Sequence, residues 1–253
     1  MDDKSLVYHH KHLLCVDSTN RYIKDEATNL ALEAPQATAF VVTADNQTAG
    51  RGQRGNSWLS QCGENLLMSI LVNPSFLKVS RQFALSQAVA LAVQATMTDF
   101  GIDAILKWPN DIYVGKRKIC GILVELSWEG DSLSEAIIGI GINVNQSQFP
   151  QMDKIPVSMK MLQGKEYSID EVRNRVLHNF SEYYSLLQSG EEELIARKYV
   201  GSLLGYGEIM QYCDSEGYFS AAIEGVTPIG HLLLRCSDAT QKSYAFKEVE
   251  LLL

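Results

Sequence analysis

The chain has 253 residues, 46 % hydrophobic and 21 % charged, the balance of a soluble globular protein with a sizeable core of its own. Its 22 Lys+Arg against 30 Asp+Glu give a net charge of −8, which argues against sequence-independent binding to nucleic acid. The cysteines at 15, 62, 120, 213 and 236 suggest neither a disulfide framework nor a zinc site, and no apolar run approaches the ~18 residues of a membrane span. With no signal peptide in evidence, the expected setting is the cytoplasm and no membrane partner is expected.

In chain order, Leu13 to Val16 is apolar and leads into Asp17-Ser18-Thr19-Asn20, a cluster of good N-cap residues. A helical pattern follows through Tyr22, Ile23, Ala27, Leu30 and Ala31. Ala39 to Thr43 reads as a buried strand, residues 44–57 as a polar glycine-rich loop, and Asn65 to Val72 as the next strand. Ser80 opens a long amphipathic helix that Gly101 should end. Strands are expected over 104–108, 112–114, 118–128 and 136–144. Ser168-x-x-Glu171 forms a capping box before another helix, and Glu191 to Val200 gives a last one. From Gly205 only short β-like runs remain, over 208–212, 218–226, 230–235 and 245–251, which suit a small barrel. The reading is an α/β (α+β) domain, a mixed sheet packed with helices, over 1–204, followed by a small β-barrel over 205–253.

Gly50-Arg51-Gly52-Gln53-Arg54-Gly55 is formally a GxGxxG, but no helix pattern follows it, so a dinucleotide turn is disfavoured. Glycines let backbone N–H groups approach an anion, and arginines offer donor forks matched to phosphate or carboxylate. The segment therefore reads as an anion-binding loop, against the plainer reading of a solvated hairpin. Lys107-Trp108-Pro109-Asn110-Asp111 joins two strands. Its lysine would want an anionic partner, and Asn110 and Asp111 are hard oxygen ligands of the kind Mg²⁺ accepts; a simple turn is the alternative. Gly121 interrupts an apolar strand, and alternation puts Gly139, Gly141, Asn143 and Asn145 on one face. Such a face makes room for a flat ligand, or else for a tight strand crossing. His9, His10 and His12 read as solvated, and no serine-hydrolase setting surrounds Ser18.

Together these segments resemble the biotin protein ligase family, also called biotin–[acetyl-CoA-carboxylase] ligase. The motifs that carry the resemblance are Asp17 to Asn20, Gln47 to Gly55 with Trp58, Lys107 to Ile112, Lys118 to Glu125 and Gly139 to Asn145, in that order. The resemblance implies a biotin/lipoate-ligase-like catalytic domain and an SH3-like C-terminal barrel. It implies a two-step reaction that uses ATP, Mg²⁺ and biotin. Biotinyl-5′-AMP forms with release of pyrophosphate, and biotin then passes to a lysine of a biotin carboxyl carrier domain. Lys107 and Arg51 are expected to be catalytic. Ser18, Thr19, Asn20, Gln47, Arg51, Gly52, Gln53, Lys107, Gly121 and Ile122 are expected at biotin. Arg54, Trp58, Asn110, Lys118 and Asn143 are expected at the nucleotide, with Asp111 as a magnesium ligand.

Two departures stand out. Gln53 replaces an arginine common in the family, which predicts leakier retention of the adenylate. The residues before Asp17 are too few for a helix-turn-helix domain, so no repressor function and no nucleic-acid partner are expected. A homodimer is compatible with the family pattern. The rivals are a lipoate or octanoate ligase of the same superfamily and a non-catalytic binding module. Pyrophosphate release separates the acids, and a Lys107→Ala variant separates the module from an enzyme.

Overall fold

The computed structural model describes residues 6–151 and 154–252. The apolar β-branched runs form the centre of a seven-stranded sheet. Its strands are β1 (Tyr8–Val16), β2 (Ala39–Gln47), β3 (Leu66–Val72), β4 (Ile105–Lys107), β5 (Asp111–Val114), β6 (Arg117–Glu129) and β7 (Ser132–Ile142). The spatial order is β1-β2-β3-β7-β6-β5-β4, parallel only between β1 and β2. Every residue of β3 is buried because helices cover both faces. Helix α1 (Thr19–Glu33) covers one, packing Ile23 and Leu30 on Phe40, Val42, Leu71 and Ile137. Helices α2 (Phe83–Asp99), α4 (Ile169–Gln188) and α5 (Glu192–Gly201) cover the other, which holds the main core. Burying a Leu, Ile or Val in such a core contributes about 1.5–3 kcal/mol each.

Helix ends follow local chemistry. Ser168 Oγ accepts from Glu171 N at the start of α4, and Gly101, at φ +71°, takes the left-handed turn after α2. A short helix not anticipated from sequence, α3 (Met159–Gln163), begins at Ser158, whose Oγ accepts from Met161 N, and ends at left-handed Gly164. Strand β1 begins at Tyr8, well before the apolar Leu13. As an edge strand it is largely unburied, so its histidine-rich first half carries no apolar signal.

The C-terminal segment is a five-stranded antiparallel sheet that fits an SH3-like domain. It comprises β8 (Ile209–Asp214), β9 (Gly217–Val226), β10 (Leu232–Cys236), β11 (Gln241–Tyr244) and β12 (Glu250–Leu251), ordered β11-β10-β9-β8-β12. The single strand expected over 245–251 is divided. Ala245 and Glu248 close a turn through Lys247 at φ +74°, and pairing resumes only at Glu250. The segment is tied to the seven-stranded sheet: Leu204 N donates to Leu106 O at 2.7 Å, and Trp108 Nε1 to Gly230 O at 3.0 Å.

Candidate functional site

The N-terminus of α1, the end of β2, the 50–58 loop and the middles of β6 and β7 enclose one pocket. Its walls include Ser18, Thr19, Asn20, Gln47, Arg51, Gly52, Gln53, Trp58, Asn110, Asp111, Lys118, Gly121 and Ile122. The polar residues after Asp17 are there for more than capping. Ser18 holds the N-cap position without a side-chain cap bond, and Thr19 and Asn20 point inward. Thr19 Oγ1 donates to Gln47 Oε1 at 3.1 Å. Ser69 Oγ, from β3, lies 2.6 Å from Asn20 Oδ1, and Asn20 Nδ2 donates to Glu125 Oε2 at 2.8 Å. Glu125 in turn holds Arg51 Nη2 at 3.1 Å, which ties the glycine-arginine loop to β6.

That loop is a tight hairpin. Gly52 N donates to Asn56 O at 2.7 Å and Trp58 N to Gly50 O at 2.9 Å. The hairpin lays the Trp58 indole across the glycines of two neighbouring strands. A Cβ at Gly141 would fall 2.5 Å from Trp58 Cε2, and one at Gly121 2.9 Å from Trp58 Cζ3. A third glycine does the same for the amide network, since a Cβ at Gly139 would fall 2.4 Å from Asn20 Oδ1. The absent side chains therefore shape the pocket. Trp58 Nε1 is buried without an acceptor, and Gln53 Oε1 is buried without a donor. An unpartnered buried polar atom costs about 1–3 kcal/mol, a cost that a ligand offering the complement would remove.

Charge gathers at the mouth. Asp111, 8 % exposed, receives Lys118 Nζ on Oδ1 at 2.7 Å and Lys154 Nζ on Oδ2 at 3.0 Å. Lys118 also sits 5.5 Å from the Trp58 ring centre, within cation–π range. Beyond Trp58 a second cavity, about 370 Å³, is lined by Trp58, Lys118, Asn143, Phe149, Lys154 and Pro156. A third, about 380 Å³, opens toward the C-terminal sheet between Lys107, Asp111, Lys154, Phe246 and Glu250. Burial, reinforced by the nearby Lys154 cation, holds the Lys107 ammonium below the usual lysine range.

A profile of the Biotin/lipoate A/B protein ligase family matches residues 13–143, which include the α1 N-terminus, the 50–58 loop and strands β5 to β7 around the first pocket. The chain belongs to this family. The chain is similar to a bifunctional ligase/repressor BirA of Bacillus spizizenii. It is 34 % identical over 242 residues, covering 93 % of this chain and 73 % of that protein. A biotin–[acetyl-CoA-carboxylase] ligase of Paracoccus denitrificans is 26 % identical over 231 residues, 87 % of this chain and 91 % of its own length. The structure of the biotin protein ligase from Aquifex aeolicus in complex with biotin and ATP superimposes with a TM-score of 0.77. It is 29 % identical and covers 96 % of this chain and 98 % of its own.

The expected residues divide among the three cavities. Lys107 does not line the first pocket. Paired in register with Asp111, it faces the third cavity with its ammonium 5.7 Å from the Tyr113 ring centre. The one-face alternation fails after Ile142, where β7 ends. Asn143 Nδ2 is spent on Val157 O at 3.1 Å, and Asn145 Nδ2 on Tyr167 O at 2.9 Å. Asn110 Nδ2 donates to Ile122 O, which makes it a clamp on the β6 backbone as well as a wall of the pocket. Each carboxylate oxygen of Asp111 faces a lysine, Lys118 on one side and Lys154 on the other. No cluster of three metal-ligating side chains occurs among the described residues. Arg54 lies in the 3₁₀ turn Gln53–Gly55, and its side chain lies outside the described atoms. Sequence reasoning missed Ser69, which has no motif, and Lys154, which lies 43 residues from the aspartate it pairs with. No described helix is long and apolar enough to cross a membrane.

Proposed function

We propose that this protein is an ATP-dependent biotin–protein ligase. The observation that carries the reading is the position of Lys118, shared by the first pocket and the Trp58–Phe149 cavity. A carboxylate reaching out of one and a nucleotide α-phosphate reaching out of the other would both meet its ammonium. The first pocket combines converging amides and hydroxyls (Ser18, Thr19, Asn20, Gln47) with apolar walls (Met68, Leu123, Ile140, Trp58). That composition suits a ureido ring system with an aliphatic tail, as in biotin. In the second cavity Trp58 and Phe149 offer flat apolar surface to a purine.

The chemistry follows from these positions. A biotin carboxylate oxygen attacks the α-phosphorus, and the electrons of the breaking P–O bond leave with pyrophosphate. The ε-amine of an acceptor lysine then attacks the acyl carbon, and AMP leaves. The first step concentrates negative charge at one phosphorus, so positioned cations matter more than a protein nucleophile. Lys118 and Arg51 are assigned to the carboxylate and α-phosphate, Lys107 to the phosphates further out. Gly52, Gln53, Gly121 and Ile122 are assigned to biotin, and Trp58 and Asn143 to the nucleotide cavity. Mg²⁺ is assigned to the phosphates of ATP, with Asp111, 8 % exposed at the pocket mouth, the carboxylate nearest to them. The 50–58 hairpin lying over the pocket would shield an adenylate from water.

The acceptor is assigned as a biotin carboxyl carrier domain, by kinship with a relative named for acetyl-CoA carboxylase. The β6 strand supports a protein acceptor: past Ile122 it pairs, among the described residues, only with β7, and so presents a strand edge beside the site. Five free cysteines suit a reducing compartment such as the cytoplasm. The test is pyrophosphate release from MgATP with biotin, lipoate or octanoate as the acid. Release that depends on biotin alone supports the reading. Release with lipoate or octanoate moves the protein to the sister activity, and silence with all three makes it a binding module.

A further inference from the structure

The environment of Asp111 holds more positive charge than its own pairing requires. One buried carboxylate can balance one ammonium, yet Lys118 and Lys154 both contact it, and Lys107 stands opposite it in register. Glu250, on the far side of the third cavity, is the other acid lining that space, and Lys247 lines it as well. Crowded cations with few anions mark a place built for an incoming anion.

The two lysines on Asp111 are not equivalent. Lys118 is on a strand, its side chain only 20 % exposed. Lys154 is in the connection between β7 and α3, its side chain 48 % exposed and its ion pair longer. The stem of Lys154 is nevertheless fixed. Lys118 N donates to Ile155 O at 2.8 Å, and Val157 N donates to Lys118 O at 2.9 Å, a short ladder that starts one residue after Lys154. Its ammonium therefore moves on an anchored base. Lys154, with Asn56, borders all three cavities: the one assigned to biotin, the one assigned to the purine, and the cationic one behind Asp111.

We infer that Lys154 is the cation that receives the leaving pyrophosphate. It exchanges Asp111 for the β- and γ-phosphate oxygens of ATP, which extend into the cavity shared with Lys107. When the bond from the α-phosphorus to the bridging oxygen breaks, both electrons stay on that oxygen, and the charge gained by pyrophosphate falls beside Lys154. Asp111 keeps Lys118 in place throughout. This inference rests on the adenylation reading and goes beyond it, because it assigns the leaving-group side of the reaction to a residue outside every recognised motif.

The full-length protein with Lys154→Met and Lys154→Arg tests it through three measurements. Calorimetric titration with magnesium pyrophosphate reads the anion site directly. Biotin-dependent turnover reads KM for ATP. Transfer from synthetic biotinyl-5′-AMP to a carrier domain reads the step that involves no pyrophosphate. For Lys154→Met, pyrophosphate affinity should fall and KM for ATP rise by about tenfold or more, as expected for one lost charge-assisted contact. Transfer from the adenylate should stay at the wild-type rate, and Lys154→Arg should recover most of the loss. Unchanged pyrophosphate affinity in Lys154→Met overturns the inference, as does a parallel fall in adenylate transfer. Wild-type protein that releases no pyrophosphate with biotin would sink the adenylation reading itself. An active wild type with an indifferent Lys154→Met sinks only the role of Lys154.

Discussion

Lys118 Nζ lies 2.7 Å from Asp111 Oδ1 and 3.2 Å from where a Cβ on Gly121 would sit, although residues 118 and 121 should face opposite sides of a regular strand. A β-bulge brings them together. Asp111 is opposite Gly121 and Ile112 opposite Cys120, but Tyr113 is opposite Lys118, so Ile119 is the extra residue. Ile119 and Cys120 both go into the core, fully buried, and Lys118 is turned onto the ligand face. Lys118→Met should lower the adenylation rate by about 10²–10³ fold, the usual cost of one preorganised charge-stabilising group. Asp111→Asn keeps the shape but releases both lysines, and should lose rate mainly in kcat. Single-turnover adenylate formation checks both; equal rates for Lys118→Met and wild type would remove this lysine from the mechanism.

The glycines under Trp58 admit no side chain. Gly141→Ala places a methyl 2.5 Å from the indole, and the indole has to leave because the strand backbone is held on both sides by β3 and β6. We expect biotin affinity to fall by about tenfold or more, with a stability loss of about 1–3 kcal/mol from overpacking. Gly225→Ala, in β9, where nothing lies within 4 Å of the added atom and the backbone is not left-handed, is the control. Calorimetric biotin binding that is the same in both variants would contradict the packing argument.

The first pocket has about 80 Å³ of free room, against the roughly 300–1,000 Å³ typical of small-molecule sites. Trp58 and its hairpin therefore have to shift when the acid enters, and the buried indole N–H changes surroundings. Titration with biotin should change tryptophan fluorescence, and Trp58→Phe should abolish that change while Trp128→Phe, at an exposed position, preserves it. A signal that survives Trp58→Phe would place the moving part elsewhere.

Asp214 carries an acid-stability signature. Its carboxylate accepts from Tyr244 Oη at 2.6 Å, from Glu216 N at 2.8 Å and from Lys242 Nζ at 3.2 Å, and these contacts hold its pKa down at about 2. A carboxyl depressed below its unfolded value of 3.8 stabilises the fold above that pH, and the contribution is lost as pH falls toward 2. Denaturation of wild type and Asp214→Asn at several pH values should show a stability gap that is full at pH 5 to 7 and closes in strong acid. A gap independent of pH would assign the effect to packing instead.

The buried strands were legible because runs such as Leu66–Val72 and Ala136–Ile142 are almost entirely apolar, as strands covered by helices on both faces have to be, with Ser69 the one polar exception. The polar wall of the first pocket came from the family resemblance and not from patterning: Ser18, Thr19, Asn20 and Gln47 belong to its motifs, and all four line the pocket. What alternation could not reveal was the bulge at Ile119, so Lys107, at an evident strand end, outranked Lys118. Asn143 lines the cavity behind Trp58, but its amide also satisfies the Val157 carbonyl, a partner that exists only after the chain returns. Lys154 left no trace in the sequence because its meaning comes entirely from Asp111, which it meets through the fold.

The stitching of Leu106 to Leu203 has a thermodynamic consequence. Leu106 N donates to Ser202 O, and Leu204 N donates back to Leu106 O, so the last strand of the catalytic sheet borrows backbone partners from the segment that leads into the C-terminal sheet. Tyr199 Oη on Pro109 O and Phe83 packed beneath Gly230 extend the seam. Neither half can open without stranding buried donors and acceptors in the other. The molecule should therefore melt in a single cooperative calorimetric transition, and a fragment cut after Leu204 should have no stable native state to melt.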